Sequence, residues 1–581
     1  MKVLEDTKES NNFSSRNLNT FILNPFAMPN TFNSVQYWDT QSSDFVYPEV
    51  DSKSPLCYRP ILNRPSSGIC VSGGGSVSAS LIAGYYKALS QLGIMNNLRY
   101  ISGVSGGTWG SAPYIYLPDA DTNFSGVTSL PQNVQLNDIQ TTTPGSMQDA
   151  ATKADIADKC LGNLAIAELE GSPINRIYER SVGAILLNPF GIHSPADATL
   201  LQKKTDSAAN AQFFTSTADA VADIQKRNPD LKNGFVTMAN DMPFLIMNTT
   251  MFVPQPGNGN ENYICPFEIT PLYSGIKAPQ AVGNGLDIGG FFVETFGFNT
   301  TLNSVNDGVA QASGDYPFEL CQPVGASGSA LEELLEKYIP KMLGCFPQFN
   351  YWNPFNLQQG THQYDFGDGG CIEDTGITPL LARGVQNIAT FLTEPVFFPG
   401  TDIVGCAGFA ERVFGYNQIA GLFGQPLIDR TQSKNTGQVV YVQPVSNANQ
   451  VFESNEFQPL LTSLLNTRAS GGPMVVSMQM TVVANGVFGI TPTTDYQPQV
   501  IWSVVDTSTN WANQLPAAVT SWIKSQSSLS DFPEVEVFVQ NFGDIIKLTP
   551  AQTNLLADFA YWMVMTNENL FKNVLIPASI T

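Results

Sequence analysis

Histidine is the scarcest reactive side chain here: two, His193 and His362, in 581 residues. A His/Cys metal cluster therefore has almost no material to form from, and no metal or cofactor is expected. Charge is thin as well. Charged residues make up 13% of the chain, against ~25% in an ordinary soluble domain, so the surface must be covered largely by Asn, Gln, Ser and Thr. Cations are the rarer sign, with 28 Lys and Arg against 50 Asp and Glu and a net charge of −22. Only Lys232 and Lys277 fall between Asn228 and Glu336, and only Arg468, Lys524, Lys547 and Lys572 follow Lys434. Such a chain repels phosphate backbones, which excludes nucleic acid as a partner. It also offers no polybasic patch for anionic headgroups, so any contact with lipid must be apolar.

The eight cysteines include no C-x-x-C pair. No apolar run reaches the ~18 residues of a membrane span. Met1 to Asn24 carries charges and Asn/Ser where a secretory signal would have an apolar stretch. Reduced thiols in a cytoplasmic protein, peripheral at membranes if it meets them, are the expectation. What is present is a core: 43% hydrophobic and 11% aromatic residues exclude wholesale disorder. At ~100–200 residues per domain, the length suits two to four units or one α/β domain with large insertions.

Residues 1–65 are rich in Asn, Ser and Pro and read as an irregular lead-in packed on a later core. From Gly68 the texture changes. Gly68-Ile69-Cys70-Val71-Ser72 reads as a buried strand entering the turn Gly73-Gly74-Gly75. Val77, Leu81, Tyr85, Ala88, Leu89 and Leu92 then recur at helical spacing, with Gly93 as C-cap. Leu98 to Ile101 gives a second strand, and the three together make a βαβ unit, which implies parallel strands and a right-handed crossover. Residues 118–350 are mixed in character, include a helix-like stretch from Thr152 to Leu169 and the turn Gly257-Asn258-Gly259-Asn260, and read as a cap that interrupts the sheet. The sheet resumes at Tyr364-Asp365-Phe366-Gly367-Asp368. Later strands are expected at Met474–Met478 and Val535–Val539, and a final helix has Thr549 as N-cap, Pro550 in its first turn, and Leu555, Phe559 and Trp562 on its apolar face.

Gly103-Val104-Ser105-Gly106-Gly107 has the form of a nucleophile elbow. Glycines on both sides of a strand-to-helix turn permit strained backbone and hold a serine Oγ exposed at a sheet edge, although a Gly- and Ser-rich chain also makes such pentads as packing turns. Gly73-Gly74-Gly75 supplies amides able to hold an oxyanion; it lacks the Lys-Ser/Thr of a P-loop and does not fit G-x-G-x-x-G. Asp368, before Gly369-Gly370, stands at a strand end from which a carboxylate could reach Ser105, or it is simply a turn residue.

Ser72-Gly73-Gly74-Gly75, then Ser102 to Gly110 with its Thr108-Trp109, then Gly367-Asp368-Gly369-Gly370 with Leu380 to Val385, resemble in this order the motifs of the cytosolic phospholipase A2/lysophospholipase (phospholipase B) family, relatives of patatin. The resemblance runs loosely from Gly68 to Asn387. It implies a three-layer α/β sandwich with a central mostly parallel sheet: one acyl-hydrolase domain over 66–581, with the cap inserted at about 118–350. It also implies a Ser105–Asp368 dyad without histidine, oxyanion amides from Gly74 and Gly75, and an elbow supported by Gly103, Gly106 and Gly107. The implied substrates are phospholipid, lysophospholipid or another fatty ester at a membrane surface. One position departs: where the family carries an arginine for the substrate phosphate, this chain has Val77. That makes a neutral glycerolipid or galactolipid a serious substrate, with Arg383 and Arg99 as the cations able to compensate. Phe291, Phe292 and Phe296 are either lining for an acyl channel or plain core. Three rival readings stand beside this one: a Ser–His–Asp hydrolase using His362, a catalytically silent lipid-binding relative, and a transacylase that resolves the acyl-enzyme with an alcohol.

Overall fold

The computed structural model describes residues 31–117, 123–156, 159–160, 162, 176–193, 212–231, 233–255, 262–283, 285–306, 308–314, 316–330, 347–396, 409–443, 448–533 and 547–577. The turn Gly257-Asn258-Gly259-Asn260, the expected strand Val535–Val539, most of the stretch from Thr152 to Leu169, and the first thirty residues of the lead-in lie outside them.

Among the described residues, fourteen strands share one sheet. The first seven are β1 (Thr31–Asp39), β2 (Ser67–Val71), β3 (Tyr100–Val104), β4 (Phe244–Pro254), β5 (Asn262–Ile269), β6 (Tyr273–Ile276) and β7 (Phe291–Glu294). The others are β8 (Thr301–Asn306), β9 (Val309–Gly314), β10 (Gln348–Trp352), β11 (Thr361–Asp368), β12 (Asn387–Leu392), β13 (Met474–Gln479) and β14 (Gln499–Val504). The spatial order is β8-β9-β1-β7-β6-β5-β4-β3-β2-β12-β14-β13, with β11 lying on β4 and β10 on β11.

The fold is mixed α/β, and the expectation of a mostly parallel sheet needs correction. Only the run β4-β3-β2-β12-β14 is parallel; every other pairing in the sheet among the described residues is antiparallel. The reason is connection length. A helix links β2 to β3, as a parallel crossover requires, whereas only three residues separate β5 from β6, which permits antiparallel pairing alone. The stretch 118–350 thus extends the sheet, contributing β4 to β10, where an interruption was expected. Residues 31–39 of the lead-in are likewise strand, inserted between β9 and β7. Residues 40–65 carry no strand and pack on the core through Leu56, Tyr58 and Ile61.

Helix α1 (Gly75–Gln91) follows β2, and α2 (Gly106–Tyr116) follows β3. Further along are α3 (Cys321–Ser327), α4 (Phe409–Leu422) and α5 (Pro550–Thr566). The two faces of β14 show how the helices divide. Ser503 faces Tyr85 of α1, while its neighbour Trp502 faces Phe423 at the end of α4, so helices cover both sides of the parallel centre. α1 is buried almost all round, Ser76, Ser78 and Ser80 included. It crosses α5 so closely that a Cβ on Gly84 would stand 2.0 Å from the Ala557 carbonyl oxygen. α5 starts as expected, with Thr549 as N-cap and Pro550 in the first turn, Gln552 completing a capping box, and it buries Leu555, Phe559 and Trp562. Burial of such side chains stabilises by about 1.5–3 kcal/mol each.

Arg383 ties the lead-in to the sheet. Its guanidinium is buried against Glu49 at 3.1 Å and Glu268 at 2.7 Å, donates to the Tyr273 hydroxyl at 2.6 Å, and lies 4.2 Å from the Tyr47 ring centre. Phe291, Phe292 and Phe296 are core residues, packed on Tyr351, Tyr273 and Phe213 respectively. Among the described residues no helix is long and apolar enough to cross a membrane. Of the described cysteines, Cys57, Cys70, Cys265 and Cys321 are free and buried, Cys160 is buried and Cys371 is exposed.

Candidate active site

Strand β4 sets the spacing of the site. β3 runs parallel to the first half of β4 and ends with Val104 opposite Asn248. β11 runs antiparallel to the second half and ends with Asp368 opposite Thr249. Two strands therefore meet head to head along one edge of β4, and the residues at their meeting ends, Ser105 and Asp368, are brought together across 263 positions of sequence. Gly369 shows how tight the junction is, since a Cβ there would stand 2.7 Å from the Asn248 carbonyl oxygen and 3.1 Å from a Val104 methyl.

Ser105 occupies the turn between β3 and α2 with φ 50° and ψ −122°, a conformation that costs a non-glycine residue on the order of 1–3 kcal/mol. The flanking glycines allow it. A Cβ on Gly106 would stand 2.2 Å from the Gly75 carbonyl oxygen, and one on Gly107 would stand 2.3 Å from that of Val71. α2 begins at the next residue and directs its positive N-terminal end at Ser105. The elbow is held from below by Asn248, whose side-chain amide donates to Ser102 Oγ at 2.9 Å and to the Gly103 carbonyl at 2.8 Å.

The glycine loop lies against this elbow. A Cβ on Gly73 would stand 3.1 Å from Ser105 Cβ. Gly74 and Gly75 both have positive φ, 116° and 54°, which only glycine adopts cheaply. The Gly74 amide precedes α1 and the Gly75 amide opens it; among the described residues neither donates to a carbonyl or side chain. The Gly73 amide, by contrast, is taken: it faces the Asp374 carbonyl oxygen at 3.3 Å and the Asp374 Oδ1 at 3.2 Å.

Asp368 is 4% exposed. Its Oδ1 accepts the Gly370 amide at 2.8 Å; its Oδ2 is buried with no partner of regular hydrogen-bond geometry. Burial pushes the carboxyl up to about 6, opposed by the neighbouring Ser105 hydroxyl and the Gly370 and Ala330 amides. Further acids crowd the loop. Asp374 is raised well above the usual carboxylate range by burial and then by Asp368, Glu394 and Glu373, and its Oδ2 accepts from Gln418 of α4. Glu373 is raised by burial, and it accepts the Thr375 and Gly376 amides. Sequence reasoning missed Asp374 and Asn248. Asp374 lies six residues past Asp368, but nothing in its local pattern marks it as a partner of Gly73.

The other expected residues lie elsewhere. Val77 is buried. Arg383 is engaged as described above, and Arg99 donates through Nε to the Arg64 carbonyl at 2.8 Å. His362 sits on β11 six residues before Asp368, about 20 Å away at ~3.3 Å per strand residue, with Nε2 meeting the Gln359 carbonyl oxygen at 2.8 Å. His193 is buried, and burial lowers it to about 4. No group of His, Cys, Asp and Glu among the described residues could hold a metal ion.

No protein family and no characterised protein sequence matches the chain. Among solved structures, human GIVD cytosolic phospholipase A2 aligns with 89% of this chain at 12% identity and a TM-score of 0.43. The same human enzyme in complex with methyl gamma-linolenyl fluorophosphonate aligns with 88% of this chain, at 12% identity and a TM-score of 0.36. In both cases the alignment spans 60% of the human chain.

Proposed function

We propose that the chain is a serine acyl-ester hydrolase acting on lipid esters at an interface, with Ser105 as nucleophile and Asp368 as its base. The observation that carries the reading is the register on β4, which ends one strand in a strained serine and the opposing strand in a buried carboxylate. Asp368 takes the hydroxyl proton as Ser105 Oγ attacks the ester carbonyl carbon. The tetrahedral oxyanion is held by the Gly74 and Gly75 amides and the α2 N-terminus. Collapse expels the alcohol, which receives the proton from Asp368. A water deprotonated by the same carboxylate then attacks the acyl-enzyme, and Asp368 returns that proton to Ser105 Oγ as the fatty acid leaves. An aspartate at its ordinary ~3.9 is a weak base; burial that raises it towards neutrality supports the role.

The charge around the loop bears on substrate. Val77 stands where the resembling family has arginine, Arg383 and Arg99 are occupied, and the side chains that crowd the loop are the acids Asp368, Asp374, Glu373 and Glu394, which offer a phosphate no cation. Such surroundings disfavour a phosphate near the reacting carbonyl, so a neutral acylglycerol-type ester is preferred to a phospholipid or lysophospholipid. A fluorophosphonate ester probe should label the protein, and S105A should abolish the labelling. Release of fatty acid from mixed micelles should be faster for acylglycerol than for phosphatidylcholine or its lyso form. Labelling that survives S105A overturns the assignment; faster release from the phosphate-bearing lipids overturns the substrate preference.

A further inference from the structure

We infer that Ser327, at the end of α3, is a positioning residue that fixes the nucleophile turn by holding the backbone amide of Ser105 itself. The inference rests on the Ser105–Asp368 reading and adds to it a residue from a third part of the chain.

Ser327 is fully buried. Its Oγ accepts the Ser105 N–H at 3.0 Å and donates to the Asn248 carbonyl at 2.7 Å. Thr108 Oγ1 lies 2.8 Å away. A serine hydroxyl has one proton and two acceptor sites; because that proton goes to Asn248, Thr108 must be the donor in the last contact. All three hydrogen-bonding positions are thus filled, and they join the strained residue, the first turn of α2 and the β4 residue opposite the end of β3. The Ser105 amide lies just beyond the last β3 pairing and would otherwise be an orphaned buried donor, which folded proteins rarely tolerate. With it held, the peptide that sets the direction of the serine side chain cannot relax out of φ 50°.

The same segment also reaches the acid. The Ala330 amide, three residues on, faces Asp368 and favours its charge. α3 is in turn locked onto α2: Trp109 Nε1 donates to the Val324 carbonyl at 3.2 Å, and a Cβ on Gly328 would stand 2.2 Å from that same nitrogen. One short stretch thus braces both members of the pair without contributing a reacting atom. Its loss should slow chemistry and leave substrate binding alone.

The test compares S327A, S327C and S327T with the natural protein, using the second-order rate constant of fluorophosphonate labelling, kcat and KM for a soluble short-chain ester, and thermal unfolding. Because small misplacements of a nucleophile cost up to ~100-fold, S327A should lower kcat and the labelling constant about 10- to 100-fold, with KM changed less than about threefold. S327C, whose thiol accepts hydrogen bonds poorly, should fall between S327A and the natural protein, and it decides the question if S327A does not fold. S327T, which keeps the hydroxyl, should recover most of the rate. A merely structural role would lower the unfolding temperature and leave the rate constants per titrated site unchanged. Labelling abolished in S105A yet within twofold of normal in S327A and S327C overturns the role given to Ser327 alone. Labelling that persists in S105A overturns the underlying reading.

Discussion

Replacing Asp368 by asparagine should make the protein inactive and more stable. The amide keeps an oxygen for the Gly370 N–H and nearly the same volume, but it cannot take a proton from Ser105. Burial raises the aspartate from 3.8 to about 6, and at 1.36 kcal/mol per pKa unit that difference is about 3 kcal/mol. Because the folded state binds this proton more tightly than the unfolded chain, the group's contribution is complete below the unfolded pKa. It is lost as pH rises through about 6. At pH 8 the natural protein therefore carries roughly 3 kcal/mol of penalty that Asp368→Asn lacks, falling to about half of that at pH 5. With an unfolding entropy of ~2.1 cal/mol/K per residue, the gap is worth about 2–3 °C in Tm at pH 8 for a chain of this length. Thermal scans of both proteins between pH 5 and pH 8, with fluorophosphonate labelling alongside, read the two effects together. A variant less stable than the natural protein at pH 8, or a gap that ignores pH, would refute the electrostatic account of this carboxyl.

The labelling rate of Ser105 should rise with pH and level off, with a midpoint near 6, because only ionised Asp368 accepts the proton; a rate that falls through that range would contradict the assignment. Gly84→Ala should destabilise by about 1–3 kcal/mol or more in urea unfolding, since its Cβ meets a backbone oxygen at 2.0 Å and α1 and α5 must separate. Arg383→Met should cost about 3–5 kcal/mol by the same assay, because Glu49 and Glu268 would be left buried without their cation. The same substitution should leave the labelling rate per folded molecule unchanged, as Arg383 has no part in the chemistry.

The parts legible in the sequence were those set by neighbours in the chain. α1 declared itself by spacing, α5 by Thr549 and Pro550, β2 and β13 by short apolar runs, and β11 by the segment that leads into Asp368-Gly369-Gly370. β3 was read two residues early, because Leu98 and Arg99 are as apolar-flanked as the strand proper. The antiparallel flanks were missed because β4 to β7 carry aromatic residues, and β8 and β9 polar ones, in segments whose direction depends on turns that composition does not encode. The two ends of the candidate pair could be named from glycine-flanked motifs, but their meeting is a matter of register on Phe244–Pro254, a strand with no motif of its own. Phe291, Phe292 and Phe296 illustrate the reverse: conspicuous residues that turn out to be core. Ser327 stood in a run of small residues that gives no hint of the amide it holds.

Because a third strand acts as the ruler for the two groups, tolerance to change is unevenly shared along the chain. Lengthening an intervening surface loop costs only about 0.6 kcal/mol per doubling and leaves the ruler untouched. A single extra residue between Asn248 and Thr249 would turn alternate side chains to the wrong face and slide the serine strand and the acid strand apart by one step, so the least conspicuous strand in the sheet is the one least able to drift.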